Sequence, residues 1–477
     1  MKRIYFLFLS FFFITLVNAQ PALHQLLNNP ALKHASVGVH VVNLNTGRTV
    51  VSHDAEKSLT PASTMKLVTT ATALELLGPD FRYKTILALD ADMPKRILVI
   101  GSGDPTLGSE AFGGNPKQFL SDWAVKLASR CAAKDVWQLY VVDNLFGYDG
   151  ISPEWTWIDM GNYYAAGAYG ISVFDNTYRL YFDTTDRNSC PKILRTDPEI
   201  KGLTFANSLS LNSSGSDNGY IFGVPFSNER IVRGDIPAGR NSFSIKGDIP
   251  DPGQLLGDVF ADYLRREGIN VESVQTARTD YISRICSRTA EPYSAGEVLH
   301  EHLSRPLSDI IRETNVESNN HYAEHLIRTV GRNRSLNMSS DALKEGIDYV
   351  TRFWKSKNVD PEALNMEDGC GLAPQDAVSP DFLTGLLSYM YTKSSYKDTF
   401  FDSLPKAGEE GTLTYFLDKT KYQGKIHAKS GSIGGVQCYA GYLIDGNKKY
   451  AFSIMVNKFN GARSEVRSAI EKFLLSL

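Results

Sequence analysis

The stretch from Pro61 to Leu77 constrains this chain more than any other. It is small and apolar almost throughout, opens on a proline suited to a first helical turn, and stops at Gly78-Pro79. It reads as a buried helix, and its start reads Pro61-Ala62-Ser63-Thr64-Met65-Lys66. Positions i and i+3 share a helix face, so the Ser63 hydroxyl and the Lys66 amine stand side by side. Serine is a poor nucleophile until a base takes its proton. Lysine serves as that base when burial or a cationic neighbour lowers its proton affinity. Ser-x-x-Lys alone is weak evidence, because Ser189/Lys192, Ser394/Lys397 and Ser403/Lys406 repeat it. The Ser63 copy differs in opening a buried helix that follows a hairpin, Val37 to Asp54, with turn chemistry at Asn45-Thr46-Gly47. A hairpin before such a helix implies a sheet with a helix packed on it.

The first residues read as a targeting segment. Lys2-Arg3 precedes the apolar run Ile4 to Val17, and Val17-Asn18-Ala19 forms a cleavage site before Gln20. The run is shorter than the roughly 20 residues of a spanning helix. Residues 1–19 are therefore expected to be a signal peptide and the protein to act in the periplasm, with at most peripheral membrane contact. A formal net charge of −3 and the lack of a basic run exclude an electrostatic nucleic-acid binder. Cys131, Cys190, Cys286, Cys370 and Cys438 are far apart and lack metal spacing. They read mostly as small buried residues, with room for one disulfide that is not assignable.

The two ends of the chain share one style, long helices beside antiparallel strands. Strands are expected at Gly424 to Ser430, Val436 to Leu443 and Tyr450 to Val456, with Asp445-Gly446-Asn447 turning between the last two. An amphipathic helix, Ala462 to Leu477, closes the chain. The middle consists of short strands and turns, and Asn207 to Tyr220, rich in Ser and Asn, reads as a loop. A domain inserted into a domain accounts for this: a catalytic domain from 20–82 and 289–477, an inserted domain from 83–174 and 242–288, and a nested domain, 175–241.

Two further elements carry chemistry. Lys429-Ser430-Gly431 ends a strand before Ser432-Ile433-Gly434-Gly435, where small residues let another backbone approach. A substrate could pair there as an extra strand, with Lys429 as a positive charge beside it. A Ser-x-Asn element occurs several times. Ser216-Asp217-Asn218 lies in the polar loop, and Ser210-Leu211-Asn212 and Ser335-Leu336-Asn337 are other copies. Ser318-Asn319-Asn320 sits at a break between two helices, a rigid place from which to hold a hydroxyl and an amide toward a cleft. Ser318 and Asn320 are the chosen pair.

Three such elements in this order are the motif set of penicillin-binding proteins and class A β-lactamases. The chain resembles the class C low-molecular-mass penicillin-binding proteins, D-alanyl-D-alanine carboxypeptidases/endopeptidases, over nearly all of its mature length. The resemblance extends to Gly103-Asp104-Pro105-Thr106-Leu107, Trp157-Ile158-Asp159-Met160, Ala323-Glu324-His325-Leu326 and Asp368-Gly369-Cys370-Gly371-Leu372. The long insertion between the first and second elements argues against a β-lactamase. Ser430 stands where the family usually has threonine, and Cys370 and Ala373 replace two serines of the Asp368 loop.

The resemblance implies an α/β (α+β) fold, a DD-peptidase/β-lactamase-like domain with an antiparallel sheet flanked by helices, interrupted by smaller mostly-β domains. It implies a serine-type D-Ala-D-Ala carboxypeptidase acting on peptidoglycan stem peptides, with β-lactams as covalent inhibitors and no cofactor. Ser63 attacks, Lys66 takes its proton, and Ser318 relays a proton to the departing D-alanine. Asn320, Lys429, Ser430 and Gly431 hold the peptide, and Ser432 adds a backbone N–H to the oxyanion hole. Asp159 faces the amine of the diamino acid.

Two other classes compete. His321-x-x-Glu324-His325 spells the inverted zinc-peptidase signature, with two histidines on one helix face and Glu324 as base. No downstream acidic cluster supplies a third ligand. A non-catalytic peptidoglycan-binding protein is the other, but a binding module has no need of Ser63, Lys66 and Lys429 together.

Overall fold

The structure is a computed structural model, described here over residues 20–131, 133–147, 149–279, 293–334 and 341–477. The expected signal peptide and Cys286 lie outside the described residues. The chain forms two compact units. One takes the chain up to Phe81, Leu307–Val330 and Gly346–Leu477, and the other takes Arg82–Pro306 and Gly331–Glu345.

Strands are numbered along the chain. The first unit is built on β1 (Ser36–Asn43), β2 (Thr49–His53), β14 (Ile426–Ile433), β15 (Val436–Asp445) and β16 (Lys448–Asn457). They form one sheet in the order β14-β15-β16-β1-β2, antiparallel throughout. The β1–β2 turn closes because the Asn43 side chain accepts the N–H groups of Asn45 and Thr46 and Gly47 adopts φ 70°. Val37, Val39 and Val41 alternate into a core with Ile426, Tyr439, Phe452 and Ile454, which the final helix, Arg463–Leu475, covers with Val466, Ile470 and Phe473. Helix Pro380–Thr392 packs against β1 and β16.

Helix Met65–Leu77 has no polar stripe, and every residue from Met65 to Leu74 is buried. A helix apolar all round must be surrounded. It packs against helices Leu307–Val316 and Pro380–Thr392. Its threonines stay satisfied in the dry interior: Thr70 and Thr72 donate to the carbonyls of Lys66 and Val68, and Trp354 Nε1 donates to Thr72 Oγ1 at 2.9 Å.

The second unit carries a five-stranded sheet of β3 (Lys84–Asp90), β4 (Arg96–Ile100), β5 (Val136–Val142), β12 (Asn270–Thr276) and β13 (Ala295–Leu303). Its order is β12-β5-β4-β3-β13, with β4, β5 and β12 mutually parallel. Two three-stranded sheets join it. One is β11 (Phe243–Asp248), β6 (Thr177–Asp183) and β7 (Lys192–Asp197); the other is β8 (Thr204–Asn212), β10 (Glu229–Pro237) and β9 (Tyr220–Phe222).

Two segments differ from the sequence reading. The polar stretch from Asn207 is not loop up to Asn212, because β8 pairs in parallel with β10 along its whole length. Phe205, Leu209 and Leu211 turn inward with the half-buried Asn207 between them, while Ala206, Ser208 and Ser210 take the outer face. The sequence boundary at 289 assigns the residues just before Leu307 to the catalytic domain, whereas β13 pairs with β3, Leu303 opposite Lys84, and lies in the second unit.

Candidate active site

Ser63 lies in the single helical turn Ala62–Thr64 that leads into helix Met65–Leu77. Ala62, fully buried, holds φ 47°, a left-handed conformation that costs a side-chain-bearing residue about 1–2 kcal/mol. Two glycines hold this turn. A Cβ on Gly371 would fall 1.9 Å from the Ala62 carbonyl oxygen. One on Gly431 would fall 2.4 Å from the Pro61 oxygen and 3.1 Å from Ser63 N. Only glycine lets β14 and the Asp368 loop lie this close to the Ser63 backbone.

Lys66 is completely buried. Its Nζ lies 3.0 Å from Ser63 Oγ, 2.6 Å from Asn320 Oδ1 and 2.8 Å from the Cys370 carbonyl oxygen. Burial lowers its proton affinity, and the nearby Cys370, Asp368, Glu324 and Asp376 partly restore it. A neutral amine has two N–H donors and one lone pair. With the donors on Asn320 and Cys370, the lone pair faces the Ser63 hydroxyl, the geometry of a general base.

Asn320 opens helix Asn320–Arg334, and Ser318 occupies the break before it at φ 60°. Lys429 is fully buried in β14, and its Nζ donates to the Ser430 carbonyl at 2.9 Å. Burial and then Lys66 push its proton affinity well down, against the pull of Glu317. Ser430 Oγ lies 3.0 Å from Thr412 Oγ1, and Ser432 is exposed opposite Gln437. β14 is an edge strand. Its first half is covered, since Ala407 N–H donates to the Ile426 oxygen and Ala428 N–H to the Pro405 oxygen. The edge available to an incoming strand therefore begins near Lys429.

Ser63, Lys66, Asn320, Lys429 and Gly431 thus converge, with Ser318, Ser430 and Ser432 on the same elements. Asp159 lies in the second unit, half-buried, where its carboxylate accepts from Thr156 Oγ1. Ser216-Asp217-Asn218 lies in an exposed turn of that unit.

The zinc reading does not gather its parts. His321 and His325 place Nε2 atoms 3.0 Å apart, and burial, with Arg328 behind it, pushes His321 down to about 3. Glu324 does not join them. Its Oε2 pairs with Arg328 Nη1 at 2.5 Å and its Oε1 accepts the Gly369 N–H at 2.7 Å. Among the described residues the cluster with metal-ligand proximity is Glu324, Asp368 and Cys370. There Asp368 already accepts four backbone N–H groups, from Cys370, Gly371, Leu372 and Ala373.

Sequence reasoning passed over several residues of the site. The Cys370 carbonyl has no sequence signal, since any residue carries one. Thr412 lies in an ordinary Glu-Glu-Gly-Thr string. The Asp368 loop was visible as a motif, but its contact with Lys66 was not.

A profile described as the D-Ala-D-Ala carboxypeptidase 3 (S13) family matches residues 19–477. The chain belongs to that family. It is a serine-type D-Ala-D-Ala carboxypeptidase. It is 28% identical over 455 residues to the D-alanyl-D-alanine carboxypeptidase of Actinomadura sp. (strain R39), covering 91% of this chain and 80% of the relative. It is 25% identical over 447 residues to the penicillin-sensitive carboxypeptidase A of Dictyostelium discoideum, covering 88% and 82%. The crystal structure of penicillin binding protein 4 (dacB) from Haemophilus influenzae shares the fold, with a TM-score of 0.76 at 19% identity over 96% of this chain and 97% of that one.

Proposed function

We propose that the protein cleaves the terminal D-alanine from peptidoglycan stem peptides in the periplasm, after export directed by residues 1–19. The observation that carries the mechanism is the Lys66 amine, buried and 3.0 Å from Ser63 Oγ. Ser63 Oγ attacks the carbonyl between the two D-alanines, and its proton passes to Lys66. The N–H groups of Ser63 and Ser432 take the developing oxyanion. Ser318 passes a proton to the departing amine, and water then releases the acyl group from Ser63. The free edge of β14 receives the peptide, and Asn320, Lys429, Ser430 and Gly431 hold it and its terminal carboxylate. In the inserted unit, Asp159 is the proposed partner for the ammonium of the stem peptide's diamino acid. The same acyl-enzyme would serve cleavage of a cross-link, an endopeptidase reaction.

β-Lactams mimic the D-alanyl-D-alanine end and should acylate the same serine, in line with the penicillin-sensitive name of one relative. Among the described residues no helix is long and apolar enough to cross a membrane. The test is labelling of residues 20–477 with a fluorescent penicillin, beside Ser63→Ala and an EDTA-treated sample. Labelling lost in Ser63→Ala alone is expected. Labelling that survives Ser63→Ala, or peptide hydrolysis abolished by EDTA, overturns the reading.

A further inference from the structure

The Asp368 loop lies against the turn that carries Ser63 and reaches Lys66 through the Cys370 carbonyl. Its construction is unusual for a loop. Asp368 is fully buried, and its two oxygens accept four successive N–H groups: Cys370 and Gly371 on Oδ1 at 2.9 and 2.6 Å, Leu372 and Ala373 on Oδ2 at 3.0 and 2.8 Å. Four charge-assisted bonds fix the backbone from residue 370 to 373. The loop is then fastened from outside on two sides. Glu324 Oε1, on helix Asn320–Arg334, accepts the Gly369 N–H at 2.7 Å. Thr69 Oγ1, on the helix that carries Lys66, donates to the Gly369 carbonyl at 2.6 Å. Asp376 lies beside the loop, where burial and the adjoining Asp368 carboxylate push its carboxyl well up.

What this fixed loop presents is one group, the Cys370 carbonyl, 2.8 Å from Lys66 Nζ. Asn320 Oδ1 occupies a second direction at 2.6 Å. With both N–H donors of a neutral amine committed, its lone pair has one direction left, toward Ser63 Oγ. We propose that the Asp368 loop is an aiming device for the Lys66 amine, with Thr69 as a positioning residue that holds the Cys370 carbonyl at the angle the proton transfer needs. The proposal rests on the reading of Ser63 as nucleophile and Lys66 as its base. The cysteine side chain plays no part in it, so the exchange of the family's usual serine for Cys370 leaves the device intact.

Thr69 is the member that can be changed without disturbing a charge. Thr69→Val keeps the shape and removes the bond to Gly369; Thr69→Ser keeps the bond and removes a methyl group. The assay is the acylation rate constant of the full secreted chain with a fluorescent penicillin, measured beside Ser63→Ala. Acylation is expected to slow about tenfold in Thr69→Val, because a misplaced base loses proton-transfer efficiency, and to return to within about twofold of the parent in Thr69→Ser. An unchanged rate in Thr69→Val overturns the proposal, and so does equal slowing in both variants, which would reveal a packing effect. Should the parent label elsewhere than Ser63, the underlying reading fails instead, and the Ser63→Ala sample shows it.

Discussion

Replacing Gly371 by alanine tests how firmly the nucleophile turn is clamped. Gly371 holds φ +83°, so a side chain there costs about 1–2 kcal/mol before any contact is considered. Its Cβ would also stand 1.9 Å from the Ala62 oxygen and 2.4 Å from the Ala62 carbon. Reaching even a tight 3.0 Å contact needs a separation of about 1.1 Å, and neither side can yield freely. The loop is held by the four bonds to Asp368, and Ala62 is itself buried in a left-handed conformation. The displacement therefore passes to the next residue, Ser63. Overpacking of this kind costs about 1–3 kcal/mol on top of the backbone term, a loss of several degrees in melting temperature for a unit of this size. A shift of about 1 Å at a reacting atom costs on the order of a hundredfold in rate. Single-turnover acylation by a fluorescent penicillin and thermal melting read the two effects separately. Acylation within threefold of the parent, with an unchanged melting temperature, would refute the claim that this contact sets the position of Ser63.

Two other outcomes follow from buried ionisable groups. A carboxylate ligand placed beside Lys429 should raise its depressed proton affinity, so binding takes up a proton and weakens as pH rises through the window between the free and bound values. Calorimetry of Ser63→Ala with a D-alanyl-D-alanine peptide, in buffers of different ionisation enthalpy, should show that uptake, and Lys429→Arg should abolish it; uptake that persists in Lys429→Arg places the proton elsewhere. In the second unit, burial raises Asp104 from 3.8 to about 6. The folded state then binds its proton more tightly than the unfolded chain, so stability is lost as pH rises from about 4 to about 6, by roughly 3 kcal/mol. Asp143, raised to about 7, and Asp248, raised to about 6, act with the same sign. Denaturant melts at pH 4.5 and 7 should show a smaller difference in Asp104→Asn than in the parent, and an equal difference would remove Asp104 from the account.

The parts legible in the sequence were those written in local patterns. The all-apolar run after Ser63 marked a helix that had to be enclosed, and the valines of β1 marked a strand with one buried face. Ser318-Asn319-Asn320 could be chosen over Ser216-Asp217-Asn218 from its place between two helices, and the structure brings Asn320, not Asn218, to Lys66. Composition misled where pairing decides the outcome. The serines and asparagines of β8 look like loop because of their composition, while the bonds of the strand to β10 depend on residues some 25 positions away. The pairing of β13 with β3 joins residues more than 200 positions apart and leaves no local trace. The contact of the Asp368 loop with Lys66 was hidden for another reason: it is made by a backbone C=O group, which every residue possesses.

The electrostatics of the cleft explain why so much of it is backbone. Lys66 and Lys429 are both fully buried, and the charge of the first lowers the proton affinity of the second. Two ammonium groups this close in a dry interior repel, and each also forfeits its hydration. Acidic side chains facing both would relieve that strain, but they would keep Lys66 protonated and useless as a base. The site instead gives Lys66 neutral acceptors, the Cys370 carbonyl and the Asn320 amide, and Lys429 another, the Ser430 carbonyl. The carboxylates that do lie nearby are occupied elsewhere, Glu324 by Arg328 and Gly369, Asp368 by four N–H groups. Their hydrogen bonds go to backbone and guanidinium, and their pull on Lys66 offsets the effect of its burial only in part, which leaves Lys66 able to take the Ser63 proton and Lys429 to await the carboxylate of the substrate.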